Sequence, residues 1–438
     1  MSGVAIRMAL AAVLALGAIR VPAAHELTGD IRDAVTGTAI PGASVTTGNR
    51  AMSADALGRF AIDDVGSGLR VRAPGYRRED VRVDPQTRLP IEIRLTPFTP
   101  RAIYLSVYGI GNAKLRNAAL ELIRRSRLNA LVIDVKGDRG MVAYRSVIPL
   151  AATAGAQRII TIPDLHALVD MLHRRGIYVI ARIVVCKDDL LAAARPDLAV
   201  KRQDGSIYRD REGMRWVDPA TRDVRAYDIA VAAEAAAAGF DEIQFDYLRF
   251  PDDSDVRLPD AATEEARVRA IGGFIDAARA RLVPHNVFLA VDVFGYVCWN
   301  PEDLRIGQRL EDLLPRVDYL SPMLYPSGFT FGIPGCTDPV AHPYEIVRRS
   351  LERALERTHA SPLRFRPWLQ AFTDYAFDRR QFGADQIREQ IRAAEDAGTS
   401  GWMLWNPRNI YSDGGLARGE PPPPYSSSSG IPDKEPTQ

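Results

Sequence analysis

Cysteine and histidine are scarce in this chain, with 3 Cys and 6 His in 438 residues. The spacing of Cys186, Cys298 and Cys336 does not fit a zinc site. No paired His and Asp stand at ligand spacing either, so a metal-dependent polysaccharide deacetylase has no support and no metal is expected. His166 and His173 fall on a helical segment and read as surface residues. Two thiol arrangements stay open: Cys298 paired with Cys336 and Cys186 free, or three unpaired buried thiols. Charge of one sign is missing as well. Lys and Arg number 56 against 55 Asp and Glu, for a formal net charge of +1. The Arg residues are scattered and form no basic run, so no nucleic-acid partner is expected. No G-x-G-x-x-G or P-loop follows the first strand of the larger domain. No cofactor is expected.

Long apolar runs are absent except at the start. Arg7 precedes an apolar stretch from Met8 to Ile19, and Pro22, Ala23 and Ala24 follow. The stretch is shorter than the roughly 20 residues of a membrane span. Residues 1–24 read as a secretory signal peptide, with an uncleaved anchor as the alternative. No Cys flanks the expected cleavage site, so lipid attachment is not expected. The mature chain is expected in the periplasm or outside the cell, without stable membrane insertion.

The chain is long enough for two or three domains. Residues 25–97 are short β-like runs broken by turn signals at Thr36-Gly37, Pro41-Gly42, Asp55 to Gly58 and Pro74-Gly75. No helical period appears there. After a linker at Pro97 to Pro100 the text alternates. Strands are expected at Ala102–Tyr108, Asn129–Lys136, Ile177–Val185, Asp241–Phe250, Val287–Gly295, Val317–Tyr325, Arg364–Phe372 and Gly401–Asn406. Helices are expected at Ala113–Arg127, Asp164–Arg175, Thr221–Ala238, Glu264–Leu282, Pro301–Leu314, Pro343–Thr358 and Ala384–Ala397. Such alternation gives parallel βαβ units, and eight strands give an α/β fold, a closed (β/α)8 TIM-type barrel over residues 98–412. An open doubly wound sheet is the runner-up. No eighth helix is evident. Residues 413–438 read as a Pro/Ser-rich disordered tail. Long segments at Cys186 to Pro219 and Pro326 to His342 follow the third and sixth strands, where barrel loops build a cleft.

Ionisable groups on inward strand positions are costly unless paired or wet. Several strand ends carry them here. Asp134 and Lys136 stand in VIDVKGD, Arg182 in ARIVV, Gln244 and Asp246 in FDEIQFDYLRFP, Asp292 in AVDVFG, and Trp368 and Gln370 in PWLQAF. Aromatics join them at Tyr108, Tyr247, Tyr325, Trp299, Trp368, Trp402 and Trp405, with Tyr247 and Trp402 on outward parity. Sugars present C–H faces to rings and hydroxyls to carboxylates, amides and Arg. Acidic groups mixed with Trp and Tyr therefore fit a glycan better than a phosphate ligand. Glycoside cleavage typically needs one protonated and one ionised carboxyl. Asp246 and Asp292, on neighbouring strands, are the best pair, with Asp134 as a third candidate. Tyr108, Asp134, Lys136, Arg182, Gln244, Arg249, Tyr325, Trp368, Gln370 and Trp405 are the candidate substrate-binding residues. The expected partner is a polysaccharide or oligosaccharide.

Three resemblances carry this further. GDIRDAVTGTAIPGASV, DALGRFAIDDV and RAPGY make residues 25–97 similar to the carboxypeptidase regulatory-like (transthyretin-type) β-sandwich, which implies a spacer or docking unit. From about Arg101 to Tyr411, the words NALVIDVKGDRG, ARIVVCKD, FDEIQFDYLRFP, DVFGY, VDYLSPMLYPS and GWMLWN resemble the bacterial glycoside hydrolase family designated domain of unknown function 4015. More distantly, FDEIQFDYLRFP resembles the DGxDxDxE signature of family 18 chitinases. Asp241 and Asp246 match two acidic positions, Gln244 replaces one, and Leu248 stands where the catalytic Glu would be. That departure removes the family 18 acid and leaves two readings, a secreted endo-acting glycosidase or a non-catalytic glycan-binding barrel.

Overall fold

The structure is a computed structural model that describes residues 26–63, 68–84 and 88–419. The expected signal peptide and the chain from residue 420 onward lie outside the described residues. Seven short strands come first: β1 Leu27–Asp33, β2 Ser44–Thr47, β3 Arg50–Ser53, β4 Arg59–Ile62, β5 Gly68–Arg72, β6 Glu79–Arg82 and β7 Ile91–Leu95. They make two sheets, ordered β4-β1-β7 and β3-β2-β5-β6. Alternate residues turn inward, as the pleat requires. Ile31, Val45, Phe60, Val71 and Ile93 meet in one core between the sheets.

The remaining strands are β8 Arg101–Leu105, β9 Ala130–Lys136, β10 Tyr178–Val184, β11 Lys201–Arg202, β12 Glu242–Asp246, β13 Val256–Arg257, β14 Phe288–Phe294, β15 Tyr319–Met323, β16 Trp368–Gln370 and β17 Trp402–Trp405. Eight of them close a barrel in the order β8-β9-β10-β12-β14-β15-β16-β17. All barrel pairings are parallel. The short β11 and β13 pair antiparallel outside it. One parity of the strands packs outward on helices through residues such as Ile133, Ile183, Phe245 and Val291. The other fills the lumen with Tyr104, Val132, Tyr178, Ile180, Phe288, Ala290, Tyr319 and Met403. The expected TIM-type α/β barrel preceded by a small β-rich region is what the chain forms.

Helices Glu264–Leu282 and Pro343–Thr358 occupy their expected spans. The expected helix over Pro301–Leu314 does not form; only Leu310–Leu313 is α-helical. Asp303 accounts for this. It binds the Arg267 guanidinium and accepts the backbone N–H groups of Arg305 and Gly307. Leu304 and Arg305 then adopt left-handed φ of 54° and 62°, which a helix cannot continue through. Among the described residues no helix follows β17. The chain turns back instead, with Arg127 N–H donating to the Ala417 carbonyl and Ser126 bridging Arg418. Residues 413–419, expected in the tail, thus pack on the barrel. Cys186, Cys298 and Cys336 are all buried free thiols, so the Cys298–Cys336 pairing does not form. No described helix is long and apolar enough to cross a membrane.

The β-sandwich closes the bottom of the barrel. Arg78 pairs with Asp241 at 3.0 Å, just before β12. Arg72 donates to Asn286 Oδ1 at 2.8 Å and lies 3.5 Å from Asp318, ahead of β14 and β15. The Gly75 N–H donates to the Tyr319 hydroxyl at 3.1 Å. Above this seam the lumen holds a buried pair. Arg366 Nη1 donates to both Glu242 oxygens at 2.8 and 2.6 Å, and the Tyr178 hydroxyl adds a third donor at 3.0 Å. Burial pushes the Glu242 carboxyl above its ordinary range, and Arg366 opposes that. Removing one partner of such a pair costs about 3–5 kcal/mol, because the other charge is left buried alone. Arg366→Met should therefore destabilise the barrel by about that much in urea denaturation, and adding Glu242→Gln should recover part of the loss.

Candidate active site

Arg182 stands at the C-terminal end of β10 with 1% of its surface exposed. Its neighbours on both sides are acidic because of register. Arg182 pairs with Asp134 on β9, and the next-but-one partner along β10, Val184, faces Asp246 on β12. Arg182 Nη1 donates to Asp134 at 2.6 Å, while Nε and Nη2 donate to the same oxygen of Asp246 at 3.0 and 2.6 Å. Nη2 also reaches Asp138 at 3.3 Å. One cation therefore serves three carboxylates.

Asp292 lies beside this cluster and outside the reach of Arg182's hydrogen bonds. The β12–β14 register sets Gln244 opposite Ala290 and Phe245 opposite Val291. Continued by one residue, it brings Asp246 alongside Asp292. Asp292 Oδ1 accepts the Trp368 indole N–H at 2.8 Å, and Oδ2 is buried without a partner. Burial, then the Asp246 charge, pushes the Asp292 carboxyl well above the ordinary carboxylate range, against the smaller pull of Arg182. Asp134 is pushed up to about 6, chiefly by burial, with Arg182 holding it down. The Tyr325 phenol is raised by burial and then by the charges of Asp246 and Asp292. The arrangement sets a carboxyl raised by burial beside one that is hydrogen-bonded to Arg182, on adjacent strands.

β12 ends sharply here. Tyr247 adopts a left-handed φ of 50°, and Asp246 Oδ1 accepts the Tyr247 N–H at 2.6 Å. A bulky residue in that region marks strain held by its surroundings. The turn sends Leu248 into the outer core and Arg249 to the rim, where its guanidinium lies over Trp216 and Tyr247. A cleft of about 230 Å³ beside β8 and β9 is lined by Tyr104, Tyr108, Asp134, Asp138, Met141 and Trp405.

The structure brings Asp134, Arg182, Asp246, Asp292, Tyr325 and Trp405 together and moves the other expected residues elsewhere. Lys136 leaves the lumen. A bulge lets Asp134 and Lys136 face consecutive residues, Arg182 and Ile183, which flips Lys136 outward. Its ammonium is fully buried between Asp188 and Asp228, each at 2.8 Å. Gln244 faces the lumen but is sealed below the site, donating to Ser321 at 3.1 Å. Trp368 is 1% exposed and serves Asp292, so no sugar face reaches it. Gln370 is spent on a loop: Oε1 accepts the Ser327 N–H, and Nε2 donates to Ser327 Oγ and the Phe372 carbonyl. Tyr108 sits on a short helix capped by Ser106, not on β8, and is a rim residue. One face of Trp405 is stacked on Tyr104 at 4.0 Å.

Two members were missed. The Tyr104 hydroxyl donates to Asp134 Oδ2 at 2.6 Å. Its inward parity on β8 was a usable signal. Asp138 ends the same VIDVKGD word as Asp134 and is the open carboxylate of the group, with 44% of its side chain exposed. Among the described residues no cluster of His, Cys, Asp and Glu is arranged to hold a metal ion.

A closed β/α barrel with an Arg-bridged carboxylate cluster at its C-terminal mouth defines the class, and the comparisons place the chain within it. The chain belongs to the family whose model is described as "Putative glycosyl hydrolase domain", which matches residues 102–411. It is a glycoside hydrolase barrel. Among solved structures, the glycoside hydrolase domain of PgaB (BpsB) from Bordetella bronchiseptica is 16% identical, over 72% of this chain and 95% of that one, with a TM-score of 0.52. That likeness supports the fold. A hypothetical protein from Ruminiclostridium thermocellum is 36% identical over 44% of this chain and 97% of its own, with a TM-score of 0.39. The GH18 chitinase ChiB of Flavobacterium johnsoniae is 13% identical over 71% and 89%, with a TM-score of 0.43. No curated protein matches.

Arg182→Gln should leave the acidic cluster without its cation. The orphaned carboxyls then titrate above their unfolded range, so they carry a stability penalty at neutral pH that fades as pH falls and they take up protons. We expect a loss of about 3–5 kcal/mol at pH 7 and a clearly smaller one near pH 4, read by denaturant titration at both. Equal losses would show that Arg182 only fills space.

Proposed function

We propose that this chain hydrolyses a glycosidic bond of an exported bacterial polysaccharide, with Asp292 as the protonated acid and Asp246 as the ionised partner. One observation supports this above the rest: the buried Asp292 carboxyl, pushed up by burial and holding an unpartnered oxygen, lies beside Asp246, which takes two hydrogen bonds from Arg182. A buried polar atom without a partner calls for an explanation. A glycosidic oxygen supplies one, since a protonated Oδ2 would donate to it. Asp292 has no exposed surface, so a sugar reaches it only when the packing around it opens. Asp134 and Asp138, which line the cleft beside β8 and β9, orient the sugar, Tyr104 and Arg182 hold these carboxylates in place, and the free edge of Trp405 contacts the sugar ring. The signal-like start, Arg7 to Ala24, supports export to the periplasm or beyond. N-terminal sequencing of the mature protein should then begin after Ala24.

Roles separate by leaving group. Asp246→Asn should lose about 10³-fold in kcat on any glycoside while keeping its fold. Asp292→Asn should lose about 10²–10⁴-fold on the natural glycan but recover on an aryl glycoside whose leaving group needs no proton. The pH profile follows from the same assignment. Activity falls only when pH passes the raised Asp292 range, so the alkaline limb lies well above pH 4. Full activity of Asp246→Asn on a confirmed substrate would falsify the assignment. A binding-only barrel is the second reading, favoured by Leu248 in place of the family 18 acid; slow release of aryl alcohol by the wild type, absent in Asp246→Asn, would exclude it.

A further inference from the structure

Two grooves meet over Arg249. The first, about 540 Å³, is walled by Phe294, Tyr296, Trp299 and Phe331. Phe331 is 91% exposed and Phe294 39%, an unusual outlay of aromatic surface for a rim. The second, about 590 Å³, runs past Lys187, Tyr208, Trp216 and Tyr247. Arg249 and Asp252 line both. The grooves therefore form one track along the mouth beside β12 and β14, the strands that carry Asp246 and Asp292.

Among the described residues two cations of this track lack a carboxylate partner, the exposed Arg211 and Arg249, and of the two only Arg249 is half-buried and set between rings. Lys187 is matched to Glu212 at 2.9 Å, and half-buried Arg202 to Asp255 at 2.9 Å. Arg249 is also half-buried, yet among the described residues no carboxylate lies within ion-pair distance of it. Its guanidinium lies 4.8 Å from the Trp216 ring centre and 5.3 Å from that of Tyr247. The only hydrogen bond its side chain makes among the described residues is Nη1 to the Phe250 carbonyl, at 3.1 Å. Two rings hold the guanidinium and its remaining N–H donors are free. Such a preorganised fork matches a planar carboxylate and loses little freedom on binding one. Asp252 is exposed, so water screens it.

We propose that the track binds an acidic glycan, a polymer containing uronate residues, and that Arg249 pairs with the carboxylate of one uronate while the aromatic wall takes the faces of neighbouring sugars. This rests on the barrel's reading as a glycosidase and names the substrate class of that same mouth. Arg249 is a specificity residue, removed from the reacting atoms.

The test titrates the full-length protein by calorimetry with oligosaccharides of polygalacturonate, alginate and hyaluronan. The same oligosaccharides are also used after chemical reduction of their carboxylates to alcohols. At least one acidic form should bind about tenfold or more tighter than its reduced twin, and added salt should shrink that gap. Arg249→Gln should bring the gap within about twofold, while Arg249→Lys, which keeps the charge and loses the planar fork, should fall between. Arg50→Gln, an exposed arginine on β3 of the sandwich, should leave it intact. Absence of binding to every acidic form, equal binding of acidic and reduced forms, or a preference that survives Arg249→Gln overturns the inference. Cleavage is scored separately. Acidic oligosaccharides that bind through Arg249 but stay whole would sink the hydrolase reading alone. A neutral glycan cut equally well by Arg249→Gln would sink this inference alone.

Discussion

The charge on Arg182 decides what the mouth of this barrel can do. A lumen packed with Tyr104, Phe288, Tyr319 and Met403 is poor in water, and a lone carboxylate there would take up a proton instead of staying charged. Arg182 offers its N–H groups in a fixed fork, and these are already committed to Asp134, Asp138 and Asp246. Asp292 is one strand too far and receives only the neutral Trp368 N–H. Which carboxyls receive the cation is therefore a matter of which strands flank β10.

The same constraint repeats lower in the barrel, with a different outcome. Glu242 and Arg366 pair with each other, the Tyr178 hydroxyl donates to Glu242 and Arg366 Nε donates to the Ser400 carbonyl, while Arg366 Nη2 is left buried without a partner. Beneath that layer the β-sandwich meets the N-terminal strand ends through Arg72, Arg78 and Gly75. Its contacts all fall on the face opposite the carboxylate cluster. A closed floor and an open mouth confine solvent and ligand to the end where the charge is unevenly shared.

Most of the barrel was legible because its signal is periodic. The strand words alternate with helices of amphipathic period, and Glu264–Leu282 and Pro343–Thr358 could be read to the residue. The cluster was legible as acidic and basic residues at consecutive strand ends. The failures share a cause: the side chain's direction depended on something local that alternation does not encode. Lys136 turned outward at a bulge, Tyr108 fell on a helix that begins at Ser106, and Gln370 answered a loop 43 residues away in sequence. The expected helix over Pro301–Leu314 was lost to the hydrogen bonds of one residue, Asp303. Tyr104 carries no charge and stands in an apolar strand, so its bond to Asp134 left no mark in the sequence beyond its inward parity.

The missing Glu at Leu248 takes on a different meaning once the backbone is considered. Extended geometry would put that side chain on the lumen face two residues beyond Asp246. Tyr247 instead turns left-handed, and Leu248 ends fully buried in the outer core, with its carbonyl accepting from Gln308. A glutamate at this position would lose its hydration among apolar side chains and would not reach the mouth. The substitution is thus coupled to the turn, and a Leu248→Glu change would destabilise the fold without restoring an acid. β12 ends at Asp246, whose carboxylate takes two hydrogen bonds from Arg182 of β10.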